Sequence, residues 1–380
     1  MNIQSKLPHT ETSIFAVMSG LANEYGAINL SQGFPDFPVS RELISLVNKY
    51  MLEDKNQYAP MPGVPELRQA LSAKIRFLYN KNINPDTEIT VTAGATQALF
   101  TAITAFVRKG DEVIVFEPAY DSYVPSIKIN GGIPVYIELS KPSFKINWQE
   151  VARKITPATR MIIINSPNNP GGYVLSEDDM KALSELTRNT DIIVLSDEVY
   201  EHIIFDGLEH QSALKFDELY KRSLAVYSFG KTFHATGWKT GYVIAPPHLT
   251  EELRKVHQFN VFSVNTPIQY ALAEYLQNPQ NYLNLPDFYQ QKRDFFLQAI
   301  EGSRFKIIPS HGTYFQVLDY SEISDMPEFD FAVWMTKEKG VASIPVSSFY
   351  HNKKNQQLLR FAFPKQEKTL LEAARILKSI

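Results

Sequence analysis

The sequence has no cysteine among its 380 residues. That excludes disulfides, thiolate zinc sites and cysteine nucleophiles, while saying little about compartment. It also lacks any apolar run near the ~18 residues that a membrane span needs, so no membrane association is expected. Its N-terminal stretch, MNIQSKLPHTETSIF, has no apolar core of the kind a signal peptide carries, which makes a cytoplasmic protein the expectation. Neither sign of charge dominates: 38 Lys and Arg face 41 Asp and Glu, for a net charge of −3. With no basic stripe, nucleic acid is not an expected partner. Internal repeats and low-complexity tracts are missing too. So is a G-x-G-x-x-G after the first strand, which argues against a Rossmann dehydrogenase.

What is present is an ordinary globular balance. Hydrophobic residues make up 44% of the chain and charged residues 21%, enough for a sizeable core. The length exceeds one domain's usual share, so two lobes are expected. Aromatics are plentiful, with 24 Phe and 19 Tyr, which suits core packing and is compatible with an aromatic-lined pocket.

Between about residues 85 and 245, short β-rich runs alternate with helix-like stretches. The runs are EITVT (88–92), DEVIVF (111–116), IPVYIEL (133–139), RMIIIN (160–165), DIIVLSD (191–197), SLAVYSF (223–229) and GYVIA (241–245). Most are near-continuously apolar, as strands covered on both faces must be. Helical stretches such as 95–107 and 176–187 lie between them. The pattern predicts an α/β fold with a mainly parallel seven-stranded sheet. The last third differs. A helical region around 267–302 leads to GTYFQVLDY, GVASIPVSSFY and LLRFAFP, then a final helix over 366–379. This predicts a smaller α+β lobe, with the first ~30 residues packing on it as an arm.

Ligands of open α/β sheets sit outside the carboxyl ends of the strands. After EITVT, Gly94 permits a tight turn, and Ala95 and Thr96 open a helix whose free N–H groups suit a phosphate. Any βα turn has a similar composition, so this signal is weak alone. After RMIIIN comes SPNNPGG, an ordered loop in which Asn169 offers an amide donor. Asp197 ends DIIVLSD and Tyr200 follows three residues later, although an aspartate there could simply cap a helix. After SLAVYSF comes Gly230-Lys231. The tripeptide GKT (230–232) ends a Walker A pattern, but Ala225 occupies the position of its first glycine, which rules that loop out.

Together the strand ends offer an anion site, an amide, a carboxylate, a phenol, a hydroxyl at Ser228, an amine at Lys231 and a second cation at Lys239. Pyridoxal 5′-phosphate asks for that set. Its aldehyde needs a lysine, its ring nitrogen a carboxylate, and its phosphate a cation with N–H and O–H donors.

At this level the chain resembles the fold-type I aminotransferases of the aspartate aminotransferase superfamily, over nearly its whole length. It is most similar to the bacterial methionine aminotransferases and the kynurenine aminotransferase/cysteine-conjugate β-lyase group. The resemblance is carried by NLSQGFPDFP, NQYAPMPGVPELR, TAGATQAL, EPAYDSY, NSPNNPGG, SDEVYEH, SFGKTFHATGWKTGY and RKVHQF…FSVNTPIQ. It implies an N-terminal arm and part of the small domain over residues 1–35, a large cofactor-binding domain over 36–275 and a small domain over 276–380. It implies Lys231 as the Schiff-base lysine and general acid/base, Asp197 at the pyridine nitrogen, and Tyr200 and Asn169 at the ring oxygen. Tyr120 would stack on the ring. Ala95, Thr96, Ser228 and Lys239 would hold the phosphate, with Lys239 standing where many family members carry arginine. Tyr58 would reach the phosphate of the neighbouring subunit, which implies a homodimer with shared sites.

For the substrate, the resemblance implies Arg360 gripping the α-carboxylate, with Gly33 and Asn169 beside it. Alternation in LLRFAFP puts Leu359, Phe361 and Phe363 on one face and Arg360 on the other. Phe15, Phe34, Tyr120 and Phe262 would line an apolar side-chain pocket, and QFNVFSVNTPIQ holds no arginine for a second carboxylate. The implied reaction is ping-pong transamination of methionine and aromatic amino acids with a 2-oxo acid. Cysteine-conjugate β-elimination or kynurenine–oxoglutarate transamination at the same site is the alternative.

Overall fold

The computed structural model describes residues 1, 3–8 and 10–380. Positions 2 and 9, within the expected arm, lie outside the described residues. Among the described residues thirteen strands occur in chain order: β1 (Ile28–Asn29), β2 (Ile89–Thr92), β3 (Glu112–Glu117), β4 (Ile133–Glu138), β5 (Thr159–Asn165), β6 (Ile193–Asp197), β7 (Ser223–Ser228), β8 (Gly241–Ile244), β9 (Lys306–Ile307), β10 (Phe315–Asp319), β11 (Val341–Ala342), β12 (Ile344–Pro345) and β13 (Leu358–Ala362).

The main sheet has the order β2-β8-β7-β6-β5-β3-β4. β3 to β7 run parallel, whereas β8 is antiparallel to both β7 and β2. Reversing β8 brings its amino end, and Lys239 just before it, to the edge where the other six strands have their carboxyl ends. In register, Gly241 lies opposite both Ser228 and Thr92, and Asp197 lies opposite Asn165. One edge thus gathers the turns after β2, β3, β5, β6 and β7. The inner strands are apolar and covered on both faces, which is why their runs read as continuous rather than alternating.

Several boundaries differ from the sequence expectation. β7 stops at Ser228, and Phe229–Thr232 forms one helical turn, so Lys231 projects from a helix rather than a strand. β6 begins only at Ile193. The helical region of 267–302 is three helices, Thr266–Tyr275, Gln280–Leu283 and Leu285–Ala299, separated next to Pro279 and Pro286. Proline has no N–H to continue a helix, which is why it stands at these starts.

A second, antiparallel sheet has the order β12-β13-β10-β9. The N-terminal helix Ile14–Glu24 is capped by Ser13 and packs against β11 and β12, and β1 pairs in parallel with β11. Residues 30–36 then run alongside β13: Ala362 N donates to Leu30 O at 2.7 Å. Among the described residues no helix is long and apolar enough to cross a membrane.

Candidate active site

The edge of the main sheet opens into a cavity of about 340 Å³ between the two sheets. Lys231, Asp197, Tyr200, Asn169, Arg360 and Tyr120 line it, as do Ala95, Thr96, Ser228 and Lys239. Phe15, Gly33 and Phe34 close it from the N-terminal side.

Lys231 is partly buried. Its Nζ donates to Gly33 O at 3.2 Å and lies 5.7 and 5.4 Å from the ring centres of Tyr200 and Tyr314. Tyr314 also donates its hydroxyl to the Lys231 carbonyl, which fixes the helical turn. Burial, then the nearby charges of Arg360 and Lys239, bring the amine down to about 8, against the pull of Asp197.

Asp197 ends β6 wholly inside the protein. Tyr123 donates its hydroxyl to Oδ2 at 2.5 Å, and Val199 N donates to Oδ1 at 3.4 Å. Burial pushes the carboxyl up to about 6, although the Tyr123 hydrogen bond opposes the rise.

Arg360 comes from β13 and is fully buried. Its Nη1 donates to Asn169 Oδ1 at 2.7 Å and its Nη2 to Ser31 O at 2.8 Å. The guanidinium lies 3.8 Å from the Phe315 ring centre, with Phe15 and Phe349 at 5.1 and 5.3 Å. Burial brings it down to about 9, so it is still a cation at neutral pH. Its Nε has no hydrogen-bond partner among the described residues. Asn169 is itself held, because its N–H donates to Asn165 Oδ1 at 2.8 Å and Asn165 Nδ2 donates to Asp197 O at 3.0 Å.

The far corner is a backbone cradle. Gly94 has φ +80°, where a side chain would strain the turn, and it starts the helix Ala95–Phe106. A Cβ on Gly241 would lie 2.5 Å from Tyr227 O and 3.1 Å from Ala95 N. Only glycine lets β8 start so close to that helix N-terminus. Lys239 brings its charge in from a left-handed residue, φ +52°. The Thr96 and Tyr120 hydroxyls lie 3.2 Å apart.

Two expected residues lie elsewhere. Tyr58 is 83% exposed and Phe262 48% exposed; they pack edge to face at 5.6 Å and neither lines this chain's cavity. Other contributors had gone unnoticed. Tyr123 sits three residues after Tyr120 in EPAYDSY, a helical spacing that could have flagged it, and it meets Tyr120 edge-on at 5.7 Å. Phe315 and Asn165 also line the cavity, and nothing in their local sequence sets them apart from core residues.

The family model for aminotransferase class I and II matches residues 25–377. The chain is 49% identical to the methionine aminotransferase of Escherichia coli, over 99% of this chain and 98% of that one. It is 36% identical to the human kynurenine–oxoglutarate transaminase 1, over 92% and 91% of the two chains. A crystal structure from Escherichia coli, reported with a methionine aminotransferase function, superposes at a TM-score of 0.98, with 49% identity and full coverage of both chains.

Proposed function

The chain belongs to the class I and II aminotransferases, which depend on pyridoxal 5′-phosphate, and from that premise we propose that it takes its amino group from methionine and aromatic amino acids. The observation that carries the substrate preference is the cavity itself. It holds one buried arginine suited to an α-carboxylate, while Phe15, Phe34, Tyr120 and Phe315 supply apolar wall. A dicarboxylate would need a second cation for its far end, and the remaining cations of the cavity, Lys231 and Lys239, stand at the amine and cradle ends.

The residues present fit the cofactor. The glycine-lined cradle with the helix N-terminus, Ser228 and Lys239 suits its phosphate. The buried Asp197 suits its ring nitrogen, and Lys231 suits its aldehyde. When bound, the cofactor supplies a carbonyl carbon that takes up the amino group and a ring that accepts electrons.

The chain's own groups do the rest. Lys231, brought down to about 8, is partly neutral near physiological pH and can take a proton at Nζ and return it. Its tether through Tyr314 keeps that nitrogen over one spot. Asp197, oriented by Tyr123 and the Val199 N–H, offers a fixed negative charge. Tyr200 and Asn169 direct polar groups to the same edge of the cavity. Arg360 binds the α-carboxylate as a planar, charged donor, and Asn169 and Ser31 hold it in place. Phe15 and Phe34 exclude water from the mouth.

We also assign residues 36–275 to a large domain and residues 1–35 and 276–380 to an arm and a small domain. The exposed Tyr58 and Phe262, with Phe259 87% exposed three residues before Phe262, support a homodimer in which Tyr58 serves the partner's phosphate site.

A panel of amino donors tests the substrate reading. Methionine, phenylalanine and tyrosine should give higher kcat/KM than aspartate. Lys231→Ala should abolish turnover with every donor, and borohydride should no longer fix the cofactor to the chain. Aspartate as best donor would overturn the preference, and an active Lys231→Ala would overturn the site.

A further inference from the structure

Lys365 is a cation in the wrong kind of place. It follows β13 in FAFPKQ and is only 3% exposed. Among the described residues no carboxylate oxygen lies within 4.0 Å of its Nζ, although burying an ammonium without a partner is costly. Its hydrogen bond goes instead to a backbone carbonyl, Phe34 O, at 2.8 Å. The same nitrogen lies 4.4 Å from the centre of the Phe34 ring. Phe34 is thus gripped twice by one side chain, at its main chain and at its π face.

The surroundings direct that grip. Residues 30–36 are stitched along β13 and its continuation. Leu30 O takes the Ala362 N–H, Ser31 O takes Arg360 Nη2, and Asp36 takes Gln366 N at 2.5 Å and Thr369 Oγ1 at 2.9 Å. Lys292 Nζ donates to Lys365 O at 2.9 Å, which holds the lysine's own backbone. Along this seam Phe34 stands at the cavity mouth and is 40% exposed. An exposed aromatic ring has several rotamers open to it. The ammonium over its face selects one.

We infer that Lys365 is a specificity-determining positioning residue: by clamping the carbonyl and ring of Phe34 it holds that ring as the wall against which an apolar donor side chain packs. This rests on the reading of Phe34 as part of the donor pocket. Lys365 touches neither donor nor cofactor and acts through Phe34 alone. Alanine, whose methyl group is too short to reach the wall, should not sense it.

The test compares kcat and KM for methionine, phenylalanine and alanine. In Lys365→Met the KM for methionine and phenylalanine should rise about tenfold, the worth of one charge-assisted hydrogen bond, with kcat little changed. The KM for alanine and the absorbance of the bound cofactor should stay as in the wild type. Lys365→Arg, which can still donate and stack, should restore the discrimination, and Lys365→Gln carries the same comparison should the methionine variant fold poorly. In a Phe34→Ala background, Lys365→Met should add no further loss of discrimination, because the wall is already gone. An unchanged methionine-to-alanine ratio, an equal loss for all three donors, or additive losses in the double variant would each overturn the inference. Failure of the pocket reading itself shows separately, as a Phe34→Ala enzyme that discriminates like the wild type.

Discussion

Asp197 and Arg360 are ionisable groups withdrawn from water and Lys231 is partly so, and in each burial is the largest influence on acidity. Such sites are assembled at the expense of stability. Asp197 makes this measurable. Its carboxyl is raised from 3.8 to about 6, so between those pH values the folded, cofactor-free chain holds the proton more tightly than the unfolded chain does. The cofactor-free fold therefore loses stability as the pH rises from about 4 to about 6 and carries the full penalty above that. Asp197→Asn, freed of that burden, should melt higher than the wild type at pH 7–8 when both are stripped of cofactor. The gap should close as the pH falls from 6 towards 4, and the variant should have lost nearly all transaminase activity. Melting curves across that range check it; an equal or lower melting temperature at pH 8 would count against it. At this scale the sequence was readable where chemistry is rare, as with an amine and a carboxylate at strand ends. It marked Tyr123 only by its spacing from Tyr120 and was silent on Phe315, because such aromatic side chains look like core until folding shows what they touch.

The end of β6 carries Asp197 and the turn after it carries Tyr200, and that turn is pinned from behind by a buried ion pair. Lys74, on the helix Pro65–Tyr79, bonds Glu201 and Tyr242, and Tyr79 donates to Glu201 Oε2 at 2.9 Å. Burial alone would neutralise both partners and does pull the Lys74 ammonium down. The Lys74 charge nevertheless holds the Glu201 carboxyl below the usual carboxylate range. Removing one partner strands the other. Lys74→Met should destabilise the fold by about 3–5 kcal/mol, as broken buried pairs do. Lys74→Met with Glu201→Gln should be milder, because glutamine keeps the hydrogen bonds without the charge. Denaturant unfolding of the two variants distinguishes them. Elements were legible in the sequence wherever short apolar runs alternated with helical stretches, as in the series of buried parallel strands. The reversal of β8 was not, since strand direction depends on how the chain returns and not on the residues of the strand.

For the molecule as a whole, the exposed aromatics Tyr58, Phe259 and Phe262 are the support for the proposed second copy of the chain. Light scattering should give about twice the 43.3 kDa of one chain. If the sites are shared, subunits carrying Tyr58→Ala and subunits carrying Lys231→Ala, each nearly inactive, should regain activity when mixed and reassembled. A mixture no better than its components would speak for self-contained sites. Two lobes were legible from length and from the change of pattern near residue 267, but how the first 36 residues bind the last 60 was not, because that pairing joins opposite ends of the chain.

The guanidinium of Arg360 is mounted on the small antiparallel sheet, whereas the Lys231 amine is mounted on the helical turn that follows β7 of the large one. The gap between them works as a ruler for the head of the incoming molecule. It measures the span from carboxylate to nitrogen before any tail is felt, and an amino acid with one more carbon in that span, such as β-alanine, would place its nitrogen out of reach.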